Sequence, residues 1–165
     1  KPSASTPAPA STCRALASKP VKAVIQRVKR TALSVDGRLI SEIPSGLCVY
    51  LGVQCGDTDA MPAAMAKKLA AMRIFEDAAG KMNLSVKDVG GEVLLISQFT
   101  LCADCSHGNR PSFTAAERPE RAKLLYERTA EELSALGVTV KTGVFGADMK
   151  IEQFNDGPVT IIYEI

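Results

Sequence analysis

Apolar positions along this chain come in short bursts broken by glycines, with two longer stretches at helical spacing. Val24, Ile25 and Val28 predict a strand, and Ala32-Leu33-Ser34-Val35 continues into Asp36-Gly37, a strong hairpin signal. Leu39-Ile40 and Ile43 follow it, and Gly46 to Val53 reads as a buried central strand. Met61, Met65, Leu69 and Met72 fall on one face of an amphipathic helix expected to end near Phe75, a core stripe rather than a cofactor box. Asp57-Thr58-Asp59 offers N-cap choices and Pro62 suits a first turn. Asp77 to Gly80 reads as a turn, and Glu92 to Ser97 as a short buried strand. Residues 102–118 are polar and read as a long loop of the length that tends to carry function. Pro119 opens a second helix whose apolar side is Ala122, Leu125, Tyr126, Ala130, Leu133 and Leu136, closed by Gly137. Val138 to Val140, Ile151 to Phe154 and Val159 to Tyr163 complete the strands, the last two split by Asn155-Asp156-Gly157-Pro158. Hairpin signals dominate. The expected class is α+β, a single domain of mainly antiparallel curved sheet with two main helices.

Composition narrows this picture. The chain has 165 residues, 46% hydrophobic and 23% charged, and suits one domain. Its apolar runs, such as Val93 to Ile96, fall far short of the roughly 20 residues of a spanning helix. Residues 1–20 stand apart, with 15 of them Ser, Thr, Ala or Pro. They form a low-complexity N-terminal extension that buries too little apolar surface to order itself, ahead of a folded domain at 21–165. They lack the long apolar region of a secretory signal, and an organelle-targeting remnant is the alternative reading. The first residue is Lys rather than Met, so further residues are expected upstream. Lys1, Arg14 and Lys19 sit in this segment without an acid, which leaves 17 basic against 18 acidic residues in the rest, a net of −1. That balance lacks the overall basic bias of a nucleic-acid binder.

Scarce residues exclude chemistry as well. There is one histidine, His107, so a His-ligated metal cluster within the chain is excluded and a Ser-His-Asp arrangement has one candidate base. The five cysteines are odd in number and read as reduced thiols. Cys102-x-x-Cys105 with His107 supplies three potential zinc ligands where four are usual, and it follows a strand rather than opening a helix, so incidental thiols are favoured over a redox or metal role. Gly90-Gly91 lacks a following Lys-Ser/Thr and is no phosphate loop. Ser97-Gln98-Phe99-Thr100-Leu101 packs hydroxyls and an amide onto the end of an apolar strand. Strand alternation would put Ser97, Phe99 and Leu101 on one side, Gln98 and Thr100 on the other. By pattern alone this is either a polar strand end or a site. Asn155-Asp156-Gly157-Pro158-Val159-Thr160 is equally open between turn chemistry and a constrained, cis-proline site.

Together these two segments resemble the paired signatures of the D-aminoacyl-tRNA deacylase family. Further segments match in order: Ala23 to Val28, Arg73 to Asp77, Gly80 to Ser85, Arg110 to Thr114, and Phe145 to Met149. The resemblance spans about residues 21–165 and implies a homodimer with two active sites at the subunit interface. It implies hydrolysis of the ester joining a D-amino acid, or mischarged glycine, to the terminal adenosine of tRNA, in the cytoplasm, without a cofactor, metal or membrane. By matching positions, Ser97, Gln98, Phe99 and Thr100 line the pocket, while Gly157 and Pro158, cis in the family, reach in from the partner as a chirality filter. Arg27 would hold the Gly-Pro loop, and Phe145 and Met149 would sit near the adenine.

With His107 in a loop, no conventional base for Thr100 is visible. An aminoacyl ester is already activated, so a positioned water, backbone N–H groups near Phe99 and Thr100, and the substrate's own 2′-OH are favoured over a Thr100 nucleophile. Rigid backbone carbonyls would exclude L side chains without reading D ones. Three rival readings remain: an editing deacylase for another mischarged tRNA, a non-catalytic DNA-binding module, and a thiol redox protein. A trans Gly157–Pro158 bond would favour the first of these. The loop 106–110 is less basic than tRNA contact would suggest, and Cys102 and Cys105 match no thiols expected in the family.

Overall fold

The computed structural model describes residues 21–165. The expectations for the extension, its cations and Cys13 fall outside the described residues. The elements run β1 (Lys22–Val35), β2 (Arg38–Ile43), β3 (Gly46–Gly52), α1 (Met61–Ala71), β4 (Phe75–Glu76), β5 (Met82–Leu84), β6 (Glu92–Ser97), α2 (Pro119–Ala135), β7 (Thr139–Thr142) and β8 (Lys150–Glu164), with a 3-10 turn at Phe99–Cys102.

Asp36 and Gly37 both take positive φ, 49° and 75°, and close the β1–β2 hairpin with Val35 opposite Arg38. Two positive-φ residues make the turn whose twist matches that of the flanking strands. Strand β1 is the spine of the sheet. Its first half pairs antiparallel with β3, its second half with β2, and its other edge with β8 from Lys22–Glu164 to Ser34–Lys150. Beyond β3 the sheet changes sense: β3–β6 and β6–β7 are parallel. The sheet is mainly antiparallel as expected, through the three ladders of β1, and its β3–β6–β7 side is parallel. Hairpin signals are local, whereas parallel pairing is made by the crossovers that carry α1 and α2. Side chains then draw β2 towards β7. Ser41 Oγ donates to Thr142 O at 2.7 Å and Lys141 Nζ to Glu42 O at 2.6 Å, so the sheet curls most of the way round.

The curl separates two cores. Leu47, Val49, Leu51, Val93 and Leu95 pack against Met65, Leu69, Leu125 and Leu133 of the helices. The intervening residues Cys48, Leu94 and Ile96 join Val28, Leu33 and Ile43 inside the curl. The stripe on α1 buries Met61, Met65 and Leu69 as expected, but the helix ends at Ala71 and Phe75 belongs to β4. Its N-cap is Ala60, without a side-chain bond. Asp57 instead accepts the Gln54 N–H at 2.7 Å. Helix α2 begins at Pro119 and stops before Gly137, whose φ of 83° suits the residue after a helix end. Among the described residues, no helix is long and apolar enough to cross a membrane.

Candidate active site

Strand β6 ends at Ser97, where Gln98 N donates to Leu51 O at 2.8 Å. The chain then tightens into the 3-10 turn, so the expected alternation through Leu101 fails beyond Ser97. Gly52 of β3 permits this close approach. A Cβ there would lie 3.0 Å from both Gln98 O and Leu101 Cβ. Phe99 is 58% exposed and meets Phe113 edge-on, with centroids 5.2 Å apart. Gln98 Nε2 donates to Thr100 Oγ1.

A cavity of about 390 Å³ opens beside this turn. Ser97, Gln98 and Phe99 form one wall, and Phe145 and Met149 another. Five of the residues singled out in the sequence thus share one space. Thr100 touches it only through Gln98. The cavity also takes in Glu117, which no motif flagged. It lies at the end of the long loop just before α2, with its N–H on Val53 O at 3.1 Å and its carboxylate 3.6 Å from Arg121 Nε. Phe145 is backed by Tyr126, ring centroids 6.0 Å apart. The Tyr126 hydroxyl donates to Leu95 O at 2.8 Å, and burial pushes its pKa up to about 12, so it stays a neutral donor.

The second group forms where β8 crosses Arg27. Asn155 pairs with Val28 and Thr160 with Gln26, so residues 156–159 bulge out opposite Arg27 alone. The two expected strands at 151–163 are therefore one interrupted strand. Arg27 is 5% exposed. Its Nε donates to Asp156 O at 3.1 Å and lies 3.3 Å from Asp156 Oδ2, while Nη1 donates to Ile74 O at 2.7 Å. Glu76 stands 3.9 Å away. The guanidinium ties the bulge to the segment after α1 with fixed donor geometry that a lysine would not reproduce. Gly157 has φ 127°, and its missing Cβ would meet Val159 N at 2.9 Å and Arg27 Nη2 at 3.3 Å, so only glycine fits. The Gly157–Pro158 bond is cis. Arg27, Gly157 and Pro158 are not among the residues lining the cavity of their own chain.

The remaining candidates lie apart. Cys102 is buried with Sγ 3.4 Å from Val53 O, and desolvation raises its pKa to about 11, while Cys105 is an exposed free thiol. Cys48 is also free, buried, and raised to about 11. Cys55 Sγ lies 3.3 Å from Ala116 O. His107 is exposed on the loop between the Asp104–Ser112 bridge. Among the described residues no three His, Cys, Asp or Glu side chains gather to hold a metal.

Cavity and bulge fall within a single region of known sequence. The pattern of the family described as D-Tyr-tRNA(Tyr) deacylase matches residues 24–164. The chain belongs to this deacylase family. A D-aminoacyl-tRNA deacylase of Myxococcus xanthus is 52% identical over 144 residues, 87% of this chain and 94% of that protein. One from Lactobacillus delbrueckii subsp. bulgaricus is 50% identical over 145 residues, 88% of this chain and the whole of the relative. A solved structure described as c-Myc DNA unwinding element binding protein superposes with a TM-score of 0.82 at 41% identity, covering 87% of this chain and 98% of its own. The deacylase match thus takes in the spine β1, both helices and both groups of candidate residues.

Proposed function

We propose that the chain hydrolyses the ester of D-aminoacyl-tRNA, releasing the D-amino acid and tRNA, and that it also clears glycine mischarged onto tRNA. The observation that carries this reading is the cavity in which Ser97, Gln98 and Phe99 face Phe145 and Met149. In it the terminal adenine lies against Phe145 and Met149, and the aminoacyl ester reaches the turn that begins at Phe99. The first N–H groups of that turn lack acceptors within it and hold the developing oxyanion. Water attacks with help from the substrate's 2′-OH, because Thr100 Oγ1 accepts from Gln98 and His107 is not among the lining residues.

In this reading the working unit is a homodimer with two sites at its interface. Gly157 and Pro158 enter the partner's cavity, held by Arg27, and their carbonyls leave room for Hα while excluding an L side chain. Two features favour a second copy: the bulge is absent from its own chain's cavity lining, and β8 exposes Phe154 (65%) and Ile162 (70%). The work is cytoplasmic and needs no cofactor. The description of the 41%-identical structure favours a second reading, a module that binds unwound DNA.

Matched D- and L-aminoacyl-tRNA assays separate these readings. The expected result is hydrolysis of the D ester at least about a hundredfold faster than the L ester, with substantial turnover retained in Thr100→Ala. Equal rates on D and L substrates would end the chirality reading. Loss of nearly all turnover in Thr100→Ala with tRNA binding intact would make Thr100 the nucleophile. No hydrolysis together with salt-dependent binding of single-stranded DNA would favour the second reading.

A further inference from the structure

A second concavity, about 640 Å³, lies where the C-terminal turns of α1 meet β8. Lys67, Lys68 and Arg73 line it over an apolar floor that includes Met72, Ile161 and Tyr163. No carboxylate is among its described lining residues. Residues 21–165 carry a net charge of −1, so three cations without an acid mark a local departure from the rest of the molecule. All three are exposed. Lys68 Nζ stands 5.3 Å over the Tyr163 ring, and Arg73, with Nη1 3.4 Å from Asn83 Oδ1, also acts at longer range on the Asp88 carboxylate outside the groove lining. The groove also has a fixed relation to the candidate site. Ile74, part of its wall, presents the carbonyl that receives Arg27 Nη1, and Arg27 holds the Gly157–Pro158 bulge.

From this we infer that the groove is a phosphate-binding track for the tRNA chain leading into the active site, Lys67, Lys68 and Arg73 taking successive phosphates and the apolar floor taking ribose or base faces. Alternating cations and apolar surface are what a nucleic-acid strand presents phosphates and bases to. The inference rests on the deacylase reading for the identity of the strand. In a dimer whose bulge enters the partner's cavity, each subunit's groove flanks the site it helps to build. A weakly charged enzyme would then grip its substrate close to the reacting ester.

The test compares Lys67→Gln/Lys68→Gln/Arg73→Gln with a control triple at exposed cations elsewhere, Arg38→Gln/Lys87→Gln/Arg128→Gln. Fluorescence anisotropy with labelled uncharged tRNA should show a loss of about tenfold or more in affinity for the groove triple, and a salt dependence shallower by about 2 in log–log slope. The control triple should stay within about twofold of the unsubstituted chain. The kcat/KM ratio of D-aminoacyl-tRNA to D-aminoacyl-adenosine should fall by a similar factor in the groove triple only. Unchanged tRNA affinity in the groove triple, or equal losses in both triples, would overturn the inference. A fall on both ester substrates that leaves their ratio unchanged would do so too. Should the unsubstituted chain hydrolyse neither ester, the deacylase reading fails by itself, and the anisotropy arm still decides the groove.

Discussion

Strands β6 and β8 do opposite jobs. In β6, Val93 to Ile96 are buried on both faces, between the helices and the inside of the curl. In β8 exposed and covered residues alternate, and the ladder is interrupted to push Gly157 and Pro158 outward over one buried guanidinium. The first is held by apolar area, a non-directional force spread over many contacts. The second depends on a few directional bonds and one missing Cβ. Packing makes β6 tolerant in chemistry but not in volume. The bulge is tolerant in neither.

Gly46→Ala should sharpen that contrast most. A Cβ on Gly46 would stand 1.8 Å from Glu92 O, so β3 and β6 would have to separate. Urea unfolding should show a loss of about 4 kcal/mol or more, or no soluble protein. A variant of near-normal stability would mean that this seam is looser than described. Arg27→Ala should break the other region and leave the first standing. Loss of the bonds to Ile74 O and Asp156 O should cost about 2 kcal/mol in the same measurement. The folded fraction should lose about a hundredfold in kcat/KM, since the loop it holds is misplaced by an ångström or more. Full activity in Arg27→Ala would disconnect the bulge from catalysis. The smallest effect concerns thiols. Cys48 and Cys102 have pKa values raised to about 11 by burial, so at pH 8 both remain protonated as well as covered. Mass spectrometry after brief iodoacetamide treatment should find Cys105 alkylated well ahead of both. Early modification of Cys102 would show that the packing between the 3-10 turn and Val53 opens.

The same contrast explains what could be read from the residues. Val93 to Ile96 announce a buried strand because every position is apolar, and the Met61–Met65–Leu69 stripe announces a helix face. Asp36-Gly37 specifies its own turn. At Asn155 to Pro158 local chemistry also spells a turn, yet the flanks keep the same neighbour, β1, and the result is a bulge within one strand. That depends on Arg27, about 130 residues earlier in the chain, and no local pattern carries it. The parallel β3–β6–β7 half was hidden for the same reason. Of the residues lining the cavity, motif order picked out Ser97, Gln98, Phe99, Phe145 and Met149, but the 3-10 turn after Ser97 depends on the approach of Gly52 in another strand, and Glu117 has no sequence signature at all.

The pairing of β1 with β8 also sets an order in time. Strand β1 leaves the ribosome well before β8 and waits for it before this edge is satisfied, from Lys22 to Ser34. Closing so long a loop is slow compared with forming the hairpin at Asp36-Gly37. Until then a nascent chain exposes an open strand edge of the kind that recruits other chains. The Gly157–Pro158 bulge forms in that same closing step, so a truncated or stalled chain carries an aggregation-prone edge and no bulge.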